Sequence, residues 1–185
     1  MESDTQQIAL GLRQGDVVVL EALVEQYQYR LVRYLIYLLG RRDGVDDLVQ
    51  ETWLRVLERG SSYDGQSRFE PWLFRVARNI ALDATRKRPM FSLDSNDDGV
   101  RPTPASEEPS PFTLAARTED ADRLARSLQT LDPVHREALV LRFQEDLSLQ
   151  EISVIVGAPV STIASRIYRG LATLRPQFEE KQHEH

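Results

Sequence analysis

Residues 147–175 read LSLQEISVIVGAPVSTIASRIYRGLATLR. Ser148 and Glu151 have the S-x-x-E spacing of a capping box, which marks a helix start. Leu149, Ile152 and Ile155 follow one helical turn apart and form an apolar face. Gly157, Ala158 and Pro159 then make a turn, because glycine suits the position past a helix end and proline cannot continue the helix. Beyond it, Ile163, Ile167, Leu171 and Leu174 recur at helical spacing, which predicts a second helix with these side chains inward. Its other side carries Thr162, Ala164, Ser165, Arg166, Tyr168 and Arg169. Two helices about a tight glycine turn, the second basic on its outer side, have the geometry that enters a DNA major groove. An ordinary helical hairpin with wetted arginines is the alternative.

The whole chain has 185 residues and a formal net charge of −6, which argues against nucleic acid until its distribution is read. Residues 1–88 hold 13 basic and 13 acidic side chains, residues 89–118 hold 2 and 5, and residues 119–185 hold 8 and 11. Two stretches run against the acidity. Residues 68–88 carry Arg68, Arg75, Arg78, Arg86, Lys87 and Arg88 against Glu70 and Asp83. Residues 160–176 carry Arg166, Arg169 and Arg175 with no acid. Phosphate attraction decays over a Debye length of about 8–10 Å, so these local stripes count for more than the total.

Upstream of the helix pair, Asp132 and Pro133 suit the cap and first position of a further helix, VHREALVLRF. Residues 89–118 hold five prolines among serines and acids, too little apolar surface to fold, and read as a linker. Before it, Asp16 caps a long helix with Leu20, Leu23, Val24, Tyr27, Leu31, Leu35 and Leu38 as its apolar positions, stopped by Gly40. A second helix is expected over about 46–58 and a third over about 68–87. On the third, Phe69, Leu73, Val76, Ile80 and Ala84 gather as the expected core stripe. Arg75, Asn79 and Asp83 gather on another face, which is either a solvated flank or a binding surface. The fold class is therefore all-α: two small helical domains, 1–88 and 119–180, joined by a flexible acidic linker over 89–118.

Enzymatic and metal chemistry find no support. The chain has no cysteine, and His135 has no second ligand at a useful spacing. No G-x-S-x-G, P-loop, H-E-x-x-H or Rossmann pattern occurs. No secretory leader and no apolar run near the ~18 residues of a membrane span is visible, which points to a cytoplasmic protein.

Three stretches together carry a family resemblance: DDLVQETWLRVLE (46–58), SRFEPWLFRVARNIALDATRKR (67–88) and LSLQEISVIVGAPVSTIASRIYRGLATL (147–174). In this order and spacing they resemble the extracytoplasmic-function (ECF) group of σ70-type RNA polymerase sigma factors, over nearly the whole chain. The resemblance implies a non-enzymatic initiation subunit without cofactor or metal. It implies as partners core RNA polymerase, through its β′ clamp helices and β flap, promoter DNA and an anti-sigma factor. Carried over residue by residue, it implies polymerase contacts at Asp47, Gln50, Glu51 and Arg55. It implies −10 element contacts at Arg68, Trp72, Arg75, Asn79, Arg86, Lys87 and Arg88, with the 62–68 loop beside them. It implies −35 element contacts at Thr162, Ser165, Arg166, Tyr168 and Arg169. The sequence departs from the family at Ser161, where glycine is common, and at Ala164, where a basic residue is common. The acids Asp94, Asp97, Asp98, Glu107 and Glu108 of the linker would suit a channel built for RNA. A free-standing helix-turn-helix regulator and a sigma-like interaction protein are the rival readings; promoter-specific transcription with core polymerase separates them.

Overall fold

In a computed structural model, described here for residues 2–87 and 124–179, every regular element is a helix. The acidic linker expected over 89–118 lies outside the described residues. The first half comprises α1 (Glu2–Gln14), α2 (Val17–Leu39), α3 (Val45–Arg59), a 3₁₀ turn at Gly60–Ser62, and α4 (Phe69–Lys87). The second half comprises helical residues 124–129 (α5), α6 (Pro133–Leu139) running into a π-helical turn at Val140–Gln144, α7 (Leu149–Val156) and α8 (Val160–Glu179).

Local chemistry sets the boundaries. Asp16 accepts hydrogen bonds from the backbone N–H groups of Val18 (2.9 Å) and Val19 (3.4 Å), satisfying two orphan donors at the start of α2. Gly40 ends α2 with φ +69°, and its N–H reaches the Ile36 carbonyl. The capping box of α7 is complete: Glu151 N–H donates to Ser148 Oγ at 3.2 Å and Ser148 N–H to Glu151 Oε2 at 2.8 Å. Gly157 then turns the chain at φ +71°, and Ser153 Oγ ties the turn by donating to the Ala158 carbonyl at 2.6 Å.

Helix α1 was not foreseen. Only Ile8, Ala9 and Leu12 mark its inner side, and it crosses α2 at Gly11, where a Cβ would fall 2.6 Å from Val19 Cγ2. The centre of the first half is aromatic. Tyr34 and Phe74 meet edge to face with centroids 5.1 Å apart, and Tyr63 and Phe69 do the same at 5.3 Å.

Two inward faces differ from expectation. Helix α4 buries Phe69, Leu73, Phe74, Ala77 and Ala81, while Val76, Ile80 and Ala84 are half-buried. The reason is that α4 packs on both sides, against α2 and α3 of its own half and against α7 of the other. In α8, Ile163 and Leu174 are buried, but Leu171 is 43% exposed. Its place on the inner face is taken by Gly170, whose missing Cβ admits the Leu139 side chain. The two halves thus form one continuous buried cluster, with α6 against α2 and α7 against α4.

Candidate nucleic-acid interface

Helices α3 and α4 enclose an open groove lined by Leu48, Glu51, Arg55, Trp72, Arg75, Val76, Asn79, Ile80 and Arg86, among others. Its floor is the displaced apolar stripe of α4, and its wall is the polar face of α3. Arg75 and Asn79 are exposed on it. Trp72 is half-buried, its ring 5.8 Å from Tyr63 and 5.6 Å from Phe69, so its position is fixed by packing. Such a groove offers both a stacking ring and charged or amide donors, the two things an unpaired nucleic-acid strand needs.

On α3, Asp47 and Gln50 are exposed outside the groove lining, and Glu51 and Arg55 are half-buried within it. Arg55 Nη2 donates to Glu51 Oε1 at 2.8 Å, an i,i+4 pair that orients both. The sequence assigned Glu51 and Arg55 to one partner and Arg75 and Asn79 to another; the structure brings all four into one groove. Leu54, 55% exposed, lies one helical turn from Gln50 and Glu51 and adds an apolar contact that polar-stripe reasoning passed over. Trp53 is instead inward, its indole N–H donating to Gln28 Oε1 at 2.8 Å.

Arg86 is exposed and 3.7 Å from Asp83, Arg88 lies outside the described residues, and Lys87 ends α4. Arg68 is placed apart from the groove. It reaches Glu70 (3.2 Å), Glu151 (3.7 Å) and the Asp146 carbonyl (3.5 Å), so it turns toward the second half. Burial works against the charge of Glu70, but its own backbone N–H together with Arg68 and Arg30 outweighs it and holds the carboxyl below its ordinary range. A depressed folded pKa contributes stability above the unfolded value and loses it as pH falls through the folded one. Glu70→Gln is therefore expected to be less stable than the parent at neutral pH. The gap should close on acidification below the ordinary carboxylate range, as followed by denaturant titration at a series of pH values.

Helix α8 exposes Ser165, Tyr168 and Arg169, with Thr162 and Arg166 half-buried beside them; Tyr168 is 74% exposed. Ser161 and Ala164 share this exposed side. The aromatic ring is thus exposed between two arginines, on a stretch of α8 that carries no acid from residue 160 to residue 176.

Comparison with known proteins matches this arrangement at both ends. Residues 23–89 match the model of Sigma-70 region 2, and residues 121–174 that of Sigma-70, region 4. The RNA polymerase sigma factor CarQ of Myxococcus xanthus is 32% identical over 169 residues, covering 91% of this chain and 94% of CarQ. The chain belongs to the ECF family of σ70-type sigma factors. It directs promoter-specific initiation of transcription by RNA polymerase. The ECF sigma factor SigE of Mycolicibacterium smegmatis is 34% identical, with 84% of this chain spanning 60% of that longer protein. Among solved structures, the sigma factor RpoE of Bartonella quintana in complex with the anti-sigma factor NepR aligns with a TM-score of 0.66 at 25% identity, covering 89% of this chain and 98% of that one. CnrH bound to the cytosolic domain of CnrY shares the fold, with a TM-score of 0.67 at 24% identity over 95% of this chain. Among the described residues no helix of this sigma factor is long and apolar enough to cross a membrane, and no group of three or more metal-ligating side chains occurs.

What sequence reasoning missed is a set of charges between the halves: Arg30, Arg33 and Arg78 on one side, Glu137 and Glu145 on the other. The available signal was weak. Glu137 stands in a mostly apolar run, EALVLRF, and Arg78 follows the buried Ala77.

Proposed function

We propose that this sigma factor grips promoters at two separate places while its α3 face holds the polymerase. Asp47, Gln50, Glu51, Arg55 and Leu54 dock on the β′ clamp helices. The α3–α4 groove receives the non-template strand of the −10 element, with Trp72 as stacking surface and Arg75 and Asn79 as base or backbone contacts; Arg68, Arg86, Lys87 and Arg88 attract phosphate. Helix α8 enters the major groove at the −35 element through Thr162, Ser165, Arg166, Tyr168 and Arg169, and its half of the chain leans on the β flap. The corresponding units are 1–88 and 119–180 with a linker over 89–118, in a cytoplasmic subunit that leaves the chemistry of RNA synthesis to the core enzyme. The NepR complex of RpoE supports an anti-sigma protein as a further partner.

The observation that carries this reading is the groove in which Arg55, Trp72, Arg75 and Asn79 converge. Run-off transcription from genomic fragments tests it. Promoter-specific transcripts are expected from core plus this protein and from neither alone; tight duplex binding without core binding would replace it by a free-standing regulator. Within that assay, Arg75→Ala and Asn79→Ala are each expected to lower open-complex formation by about 5- to 150-fold, for a lost hydrogen-bonded base contact of roughly 1–3 kcal/mol. Permanganate footprinting of the melted strand reads this. Equal reactivity in parent and variants would remove the groove from strand recognition.

A further inference from the structure

Helix α1 lies outside residues 23–89, the stretch that matches Sigma-70 region 2, and none of its residues lines the α3–α4 groove. Part of its inner face is nevertheless turned onto the loop of residues 62–68. Thr5, Ala9 and Leu12 stand four and then three positions apart, so they share one side of α1. Leu12 sits on Gly60, where an added Cβ would fall 2.9 Å from the Leu12 Cβ. Ala9 sits on the buried Gly65, where a Cβ would fall 3.0 Å from the Ala9 Cβ and equally close to the Thr5 carbonyl oxygen. Thr5 Oγ1 donates to the Gly65 carbonyl at 2.8 Å.

The loop is also held from within. Gln66 N–H donates to Asp64 Oδ1 at 2.9 Å, which closes an Asx turn with Gly65 at φ +74° in its middle. The hydroxyl of the buried Tyr63 donates to the Ser67 carbonyl at 2.6 Å and joins the two arms of the loop. Tyr63 and Gly65 face inward, whereas Ser62, Asp64, Gln66 and Ser67 are exposed. On one flank the loop borders the groove. Ser62 is part of the groove lining, and the Trp72 ring packs on Tyr63 with centroids 5.8 Å apart.

The three ties do different things. The Asx turn lies inside the loop, so it shapes the tip without orienting it. Tyr63 fixes the base of the loop in the core. Only the bond from Thr5 ties the tip to a rigid element outside the loop. Reading a base needs polar groups held to within about 0.5 Å, and an untied loop tip does not hold them so closely.

We propose that α1 is a positioning element for strand recognition: Thr5, with Ala9 beside it, aims the 62–68 loop so that its exposed polar side chains meet the unpaired −10 strand at the end of the groove. Thr5 touches no DNA and acts through Gly65. This rests on the strand groove proposed above and adds to it a determinant of base preference that stands outside it.

Thr5→Val removes the hydroxyl and keeps the branched shape, whereas Thr5→Ser keeps the hydroxyl. Valine and threonine have similar helix propensities, so α1 should persist, and the denaturant midpoint checks this. Core polymerase with the full-length parent or variant is assayed by run-off on a promoter whose −10 positions are changed one at a time to each other base. The parent is expected to prefer one base at each position it reads. Thr5→Val is expected to lose about fivefold of that preference, the bias that one net hydrogen bond exerts. The loss should fall on one or two adjacent positions and leave the other positions and the affinity for core as in the parent. Thr5→Ser is expected to restore the parent's profile. An unchanged Thr5→Val profile would overturn the positioning role. So would a uniform loss at every position, or a Thr5→Ser profile like that of Thr5→Val. Arg75→Ala in the same series reports on the groove itself. If Arg75→Ala alters the profile and Thr5→Val does not, the positioning role falls and the groove stands; if neither alters it, both fall.

Discussion

Transcription from a promoter that depends on its −35 element is expected to fall by about 30-fold or more when Arg166 and Arg169 are both changed to alanine, each lost contact to a base being worth about 1–3 kcal/mol and the two together about 2–6 kcal/mol. The two side chains stand on the outer side of α8, where no acid lies between residues 160 and 176. Their loss leaves the buried Ile163 and Leu174 untouched, so the second half should remain folded. The two arginines are expected to differ. A base-reading arginine changes which promoters are used, whereas a phosphate contact weakens all promoters alike and flattens the salt dependence. Transcription from a promoter library at two salt concentrations, with single and double variants, separates these outcomes. Undiminished activity of the double variant would take α8 out of the promoter. Ala164 lies on the same exposed side and brings no side-chain hydrogen-bond donor; under the proposed docking of α8 its methyl group would suit a thymine methyl.

How much of this was legible in the sequence depended on how local each cause was. The turn at Gly157, the capping box at Ser148 and the caps at Asp16 and Asp132 each act within three or four residues, and all four were read correctly. Periodicity gave the helices from α2 onward, α5 apart, but misplaced parts of two faces, on α4 and at Leu171 of α8. A single stripe assumes one packing partner, whereas α4 has partners on both sides, so Val76 and Ile80 moved from expected core to groove floor. Helix α1 carried too few apolar residues for its period to show, and it is set by a close crossing at Gly11. The pairing of Arg33 with Glu145 spans 112 positions, and nothing near either residue announces the other. For the site, the family resemblance named residues that the structure then grouped differently: Glu51 and Arg55 beside Arg75 and Asn79, and Arg68 away from them against Glu151.

The largest expected effect on stability belongs to Phe74. Its side chain is fully buried and meets Tyr34 edge to face at 5.1 Å, and Arg30 lies 5.7 Å above its ring. Truncating such a phenylalanine to alanine costs about 3–5 kcal/mol, from lost transfer free energy and from the cavity left behind. The aromatic pair adds roughly 0.5–1.5 kcal/mol to what is lost. A domain of this size has only about 5–15 kcal/mol in total, so Phe74→Ala is expected to leave the first half marginal. The damage should extend further than the cavity. Tyr34 donates to Glu137 from a site where burial first, and the Glu137 charge next, hold its proton well above the ordinary phenol range. A Tyr34 ring free to tilt into the cavity can no longer aim that hydroxyl, and Glu137 then keeps only Arg78. Phe74→Ala should accordingly weaken the contact between the halves as well as the core beneath it. Val76→Ala, on the half-buried groove floor, should cost much less, because neighbouring water can fill the space. Denaturant unfolding of both variants measures the difference as a shift in midpoint. A cost below about 1 kcal/mol for Phe74→Ala would mean that the core of the first half lies elsewhere than between α2 and α4.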